Sequence, residues 1–75
     1  MLKVDLEVFG QLLPGIPRRQ SLALESPMTV GEIASQLGLK PEEIGLISIN
    51  GVQSELEDKV STDCRLCFFP PVSGG

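Results

Sequence analysis

The 75-residue chain contains few side chains that could run a reaction. It has no histidine, so the usual general base near neutral pH and the commonest metal ligand are both missing. Its carboxylates gather as Glu42/Glu43 and Glu55/Glu57/Asp58, but neither group has the central glycine and distal glutamate of a cation loop. A solvated acidic surface is expected there, and no metal site. Cys64 and Cys67 spell C-x-x-C, which would suggest redox chemistry at a helix start, or zinc with a second pair. In a strand, however, an offset of three points the thiols to opposite faces, with Cα atoms roughly 10 Å apart at about 3.3 Å per residue. That exceeds the separation of about 7 Å that a disulfide tolerates. Two free thiols are expected, one buried as a small hydrophobe and one facing outward. The glycines lack the spacing of a phosphate-binding loop. The remaining candidate is the main-chain carboxylate at the end of "FFPPVSGG". Gly74 and Gly75 have no Cβ and fit a slot too narrow for other residues, while Pro70 and Pro71 favour an extended exit. Six residues from Pro70 onward, at about 3.3 Å each, span roughly 20 Å. A carboxylate on so thin an arm can reach into another protein's active site.

A chain of this length makes a single domain. The net charge of −4 and six scattered basic residues offer no stripe for phosphates, and aromatic stacking platforms are lacking, so no nucleic-acid partner is expected. No apolar run approaches a membrane span, and "MLKVDLEV" alternates where a signal peptide would be continuously apolar. A cytoplasmic protein is expected, with Gly75 as its natural terminus. The expected division is a folded domain over residues 1–69 and an extended tail over residues 70–75, comprising Pro70, Pro71, Val72, Ser73, Gly74 and Gly75.

Positioning that tail requires a scaffold. Leu2, Val4, Leu6 and Val8 alternate with Lys3, Asp5, Glu7 and Phe9, the period of a strand with one buried face. "GQLLPGIPRR" breaks regular structure, and a second strand follows near "QSLALE", with Leu22 and Leu24 pointing inward. In the connection, Leu12, Leu13 and Ile16 are expected to pack under the loop. Thr29 and Glu32 form a T-x-x-E capping box, Val30, Ile33, Ala34 and Leu37 mark one helical face, and Gly38 ends the helix. The spacing predicts a helix over about 29–38, with Met28 and Ile33 as a hydrophobic staple. "KPEE" reads as a turn, "IGLISING" as a strand ending in an Asn50-Gly51 hairpin turn, and "CRLCFF" as a last strand stopped by Pro70 and Pro71. "QSELEDKVST" between them is indecisive, with room for one short strand. One amphipathic helix across one face of a mixed sheet of four to five strands, an α+β fold, accommodates this order.

The element order, the "INGV" turn and the terminal "FPPVSGG" together resemble the ubiquitin-like sulfur carriers of the MoaD/ThiS type, over essentially the whole chain. The "PPVSGG" ending is similar to the small subunit of molybdopterin synthase. The resemblance implies the ubiquitin-like β-grasp fold and a carrier that is not an enzyme on its own and binds no cofactor. It further implies that an adenylyltransferase related to ubiquitin-activating enzymes uses ATP to activate the Gly75 carboxylate. A sulfur donor then converts it to a thiocarboxylate, which delivers sulfur within a synthase, such as the large subunit of molybdopterin synthase. Thr62-Asp63 stands where many relatives have Gly-Asp, and the paired cysteines are not a family requirement, so the pathway is less firmly implied than the chemistry. A thiamine-type or other sulfur carrier, or a protein modifier conjugated through Gly75, remains open.

If the helix covers the face bearing Leu66 and Phe68, alternation leaves Arg65, Cys67 and Phe69 on the open face beside Phe9. Phe69, Phe9 and Arg65 are then candidates for partner docking. Equally, Phe9 and Phe69 can simply cover each other at the sheet edge.

Overall fold

The computed structural model describes residues 1–10 and 17–71. Its organising feature is that the last strand of the chain, β7 (Cys64–Phe69), lies in the middle of the sheet. On one side β7 runs parallel to β1 (Leu2–Val8), with Leu6 opposite Leu66 and Val8 opposite Phe68. On the other it runs antiparallel to β4 (Leu46–Ile49), with Ile47 opposite Phe68. β2 (Arg19–Leu24) and β5 (Val52–Ser54) complete the edges, giving the order β2-β1-β7-β4-β5. This is the mixed sheet anticipated from the alternation, at the upper end of the expected strand number.

One face of the sheet is apolar because alternate residues on each strand are. Val4, Leu6, Leu24, Ile47, Leu66 and Phe68 meet Val30, Ile33 and Ala34 of helix α1 (Val30–Leu37) in a single core, with Val4, Val30, Ile33, Leu66 and Phe68 fully buried. Each such large side chain contributes roughly 1.5–3 kcal/mol by leaving water. Leu22 is only partly buried, because β2 is an edge strand that the core covers incompletely.

The ends of α1 follow from local sequence. Thr29 Oγ1 accepts from the Glu32 N–H at 3.1 Å and a Glu32 carboxylate oxygen accepts from the Thr29 N–H at 2.9 Å, the reciprocal capping box. Gly38 takes the left-handed conformation (φ 89°), and the Leu39 N–H reaches the Ala34 carbonyl at 2.9 Å, the Schellman closure, with Leu39 buried beneath it. Two further donors at the helix start are satisfied by a segment whose sequence gave no periodic signal. Val30 N–H donates to the Asp58 carbonyl and Gly31 N–H to the Leu56 carbonyl, both at 2.8 Å. Asp58 is itself fixed, its carboxylate accepting from the Ser54 hydroxyl at 2.7 Å and the Glu55 N–H at 2.9 Å.

Beside this clamp, β3 (Met28–Thr29) pairs with β6 (Lys59–Val60) in a small second sheet. Two residues are too few to show alternation, so the sequence does not reveal it. The "KPEE" turn is one 3₁₀ turn, Pro41–Glu43. Asn50 (φ 52°) and Gly51 (φ 82°) both adopt the positive φ that their hairpin turn requires. Asn50 also extends the ladder to β7, donating to the Arg65 carbonyl at 2.8 Å and accepting the Arg65 N–H at 2.9 Å.

Replacing Thr29 with alanine removes the side-chain half of the capping box. Thr29→Ala is expected to cost about 1 kcal/mol, read as a lower urea midpoint with an unchanged slope. An unaltered midpoint would show that the loop contacts at Val30 and Gly31 hold the helix start without it.

Candidate functional site

The tail leaves from the centre of one sheet end. Phe68 carbonyl accepts from the Phe9 N–H at 2.9 Å, and Phe69 carbonyl accepts from the Gly45 N–H at 2.8 Å, so β7 is held on both sides up to its last residue. Pro70 then has no N–H to continue the ladder. Pro70 and Pro71 are both exposed. Val72, Ser73, Gly74 and Gly75 lie outside the described residues, as do Leu12, Leu13 and Ile16 of the first connection.

The face of the sheet away from the helix carries the other candidates. Phe9 and Phe69 stack nearly parallel, with ring centroids 4.5 Å apart and planes 5° from coplanar. Both are only partly exposed: the rings cover each other on one side and leave the rest of the pair open, so the stacking is compatible with either alternative drawn from the sequence. Leu46 lies opposite Phe69 and is 43% exposed, so it extends the apolar patch at the tail's root. Its alternation with Ile47 in "LISI" is the signal that would have placed it there.

Arg65 shares the face of Phe69 but is committed to an acid. Its guanidinium bonds one oxygen of Glu7, and Arg19 Nε approaches the other at 3.5 Å. Glu7 is buried to 5% exposure although its strand face is the open one. The two arginines explain how a carboxylate tolerates that burial: both of its oxygens have a cationic partner. The hydrogen bond from Arg65, opposed by burial and aided by the Arg19 and Arg65 charges, holds the Glu7 carboxyl below the usual glutamate range. The same contact with Glu7 raises the Arg65 guanidinium. Any partner meeting Arg65 therefore meets a guanidinium already bonded to Glu7. In the sequence Glu7 is one member of the polar stripe of β1; the convergence of three charged residues from β1, β2 and β7 becomes visible only once the strands are paired.

The cysteines are free, and alternation puts them on opposite faces as expected. The expectation that the open-face thiol would be the exposed one is corrected. Cys67 is buried (7% exposed) because β7 is central, with Glu7 opposite it on β1 and Ser48 on β4, and Arg65 reaches alongside. Cys64 is half-buried against the core, where burial and then Asp63 and Asp5 raise its thiol above the ordinary range. A raised pKa leaves little thiolate, so Cys64 is a poor nucleophile. Asp63 has a structural task as well, accepting the Lys3 N–H at 2.9 Å and so joining the starts of β1 and β7. Among the described residues there is no group of three or more acidic, cysteine or histidine side chains placed to hold a metal, and no helix long and apolar enough to cross a membrane.

The model of the ThiS family matches residues 6–75, nearly the whole chain. The chain belongs to the ThiS family. No curated protein sequence matches it. Among solved structures, two crystal structures of small archaeal modifier protein 1 (SAMP1) from Haloferax volcanii are similar to it. One is 24% identical with a TM-score of 0.71, covering 97% of this chain and 99% of the other. The second is 20% identical with a TM-score of 0.74, covering 96% and 100%. A Pyrococcus furiosus protein described as molybdopterin converting factor, subunit 1, is 19% identical with a TM-score of 0.70, covering 96% and 100%. At these identities the likeness establishes the fold, which is the ubiquitin-like β-grasp shared by ThiS-like sulfur carriers and ubiquitin-like modifiers.

Within this ThiS-family chain, Glu7, Glu32 and Asp58 all have carboxyls lowered by hydrogen bonds formed in the fold: from Arg65 to Glu7, from Thr29 to Glu32, and from Ser54 to Asp58. A lowered folded-state pKa adds stability that is complete above the unfolded value, about 4.3 for glutamate, and is lost as pH falls through the folded value. Stability is therefore expected to be level above about pH 5.5 and to fall progressively below about pH 4.5. Glu7→Gln should be less stable at neutral pH and show a shallower acid decline, measured by urea unfolding across pH. An acid decline as steep as that of the parent chain would remove Glu7 from this role.

Proposed function

We propose that this chain is a sulfur carrier whose reactive group is the Gly75 carboxylate. The observation that carries the reading is the family match, which runs through the final Gly74-Gly75. The scaffold supports it: β7 is held from both sides as far as Phe69, so the chain enters Pro70 and Pro71 from a rigid point. Arg65 and Glu7 occupy each other, Cys64 is poorly nucleophilic, and the chain has no histidine, so its side chains offer little competing chemistry.

A free carboxylate is a poor electrophile. In the proposed cycle a Gly75 oxygen attacks the α-phosphorus of ATP held by an adenylyltransferase related to ubiquitin-activating enzymes, and pyrophosphate leaves. Hydrosulfide from a sulfide donor then attacks the acyl carbon, the acyl–phosphate C–O bond breaks and AMP departs, and loss of the S–H proton leaves a thiocarboxylate at Gly75. That sulfur is the nucleophile passed to an acceptor. The carrier contributes recognition and reach, and its partners catalyse. Val72, Ser73, Gly74, Pro71 and Pro70 form the arm that threads into them. The patch of Phe9, Phe69 and Leu46, flanked by Arg65, is the docking surface. Synthesis of molybdopterin is the proposed destination, on the "PPVSGG" ending and the likeness to the P. furiosus protein. The synthase partner is then its large subunit, in the cytoplasm.

A second reading has its own support in the H. volcanii neighbours, which are described as modifier proteins. There the activated Gly75 carbonyl is transferred to a lysine amine of a target. Both readings share activation and differ in the acceptor.

Intact mass spectrometry after incubation with ATP, a sulfide donor and the host's activating enzyme tests the carrier reading. The full-length chain is expected to gain the mass difference of one oxygen replaced by sulfur, and a chain lacking Gly75 is expected to gain nothing. Covalent conjugates on a denaturing gel without any thiocarboxylate would instead establish the modifier.

A further inference from the structure

Two glycines press on the root of the tail, and nothing in the cycle above assigns them a role. A Cβ built on Gly45 would lie 2.5 Å from the Pro70 carbonyl oxygen, 2.5 Å from Pro71 Cα and 2.7 Å from Pro71 N. All three are backbone atoms, so no change of rotamer relieves the overlap. Gly45 is not among the glycines with positive φ, so its conformation does not call for glycine; the space does. A Cβ on Gly10, from the other side, would lie 2.9 Å from Pro70 Cγ. By contrast, Gly38 and Gly51 have nothing within 4 Å of such a position and serve their turns through φ alone. The two crowded glycines lie next to the ladder bonds that end β7, since Gly45 donates to Phe69 and Phe9 to Phe68.

We propose that Gly45, assisted by Gly10, is a positioning residue that sets the direction in which the chain leaves Pro71 and hence where the terminal carboxylate is presented. The inference rests on the reading of Gly75 as the reactive group. It adds that reach alone is insufficient: the arm starts along a direction fixed by contact between Gly45 and the Pro70-Pro71 backbone. Because Gly45 has no side chain to offer a partner and its close contacts are with the Pro70-Pro71 backbone, its loss should act on the chemical step more than on binding. Misplacing a reacting atom by about 1 Å can cost up to 100-fold in rate.

The test compares the full chain with Gly45→Ala by two measurements. In a weakly aligned NMR sample, residual dipolar couplings of β1, β4 and β7 amides are expected to be unchanged while those of Val72 and Ser73 shift. In adenylation by the activating enzyme, kcat is expected to fall roughly 10- to 100-fold with KM little altered. Unchanged couplings at Val72 and Ser73 overturn the proposal, as does an unchanged kcat. If the parent chain is not adenylated at all, the carrier reading fails, and the couplings still decide whether Gly45 directs the tail. Gly10→Asn, which tolerates positive φ and pushes only on the Pro70 ring, is measured in parallel. It is expected to produce a smaller shift at Val72, and its couplings decide the point should Gly45→Ala lose the fold.

Discussion

Everything in this molecule depends on the placement of its final strand between β1 and β4. A strand paired on both sides has its backbone donors and acceptors committed to the sheet, and here the commitment runs to the last residue: Phe68 is bonded to Phe9, and Phe69 to Gly45. The two apolar residues that β7 sends toward the helix, Leu66 and Phe68, are fully buried. The strand that carries the tail is therefore also the strand most deeply embedded in the core. A tail attached to an edge strand would inherit the fraying of that edge, whereas this one starts from the least deformable part of the sheet.

The same placement explains the chemistry of the open face. A central strand is flanked on both sides, so side chains that point away from the helix can still be buried by their neighbours. Cys67 is withdrawn from solvent for this reason, and Glu7 is buried beside it, with Arg65 and Arg19 supplying the charge that makes this tolerable. An acid on β1 bonded to a base on β7 ties the first and last strands through side chains as well as backbone. Removing one partner would leave a buried charge without compensation, which is more costly than the pair is stabilising.

Much of the fold was legible because its signals are local or periodic. The capping box at Thr29 and Glu32, the Gly38 closure, the Asn50-Gly51 turn and the alternation in β1 and β7 each depend on residues a few positions apart. Features made by distant segments were not legible. The β3–β6 pairing is too short for a pattern, and the bonds from Val30 and Gly31 to Asp58 and Leu56 join segments with no shared sequence signal. At the candidate site, the Phe9–Phe69 neighbourhood could be inferred from alternation, but the stacking could not until the rings were placed. Glu7 and Gly45 were missed for a common reason: a buried acid and a crowded glycine have significance only through what lies across from them.

With Glu7 and Arg65 paired and Cys67 buried, the proposed role makes this ThiS-family chain a mount for its own terminus. The most direct test replaces only the group in question. A semisynthetic chain ending in the Gly75 carboxamide keeps every residue and the full tail but has no terminal carboxylate. Exchange of labelled pyrophosphate into ATP by the activating enzyme should be supported by the free acid and abolished for the amide. Equal exchange with both would contradict the assignment of the Gly75 carboxylate as the reactive group.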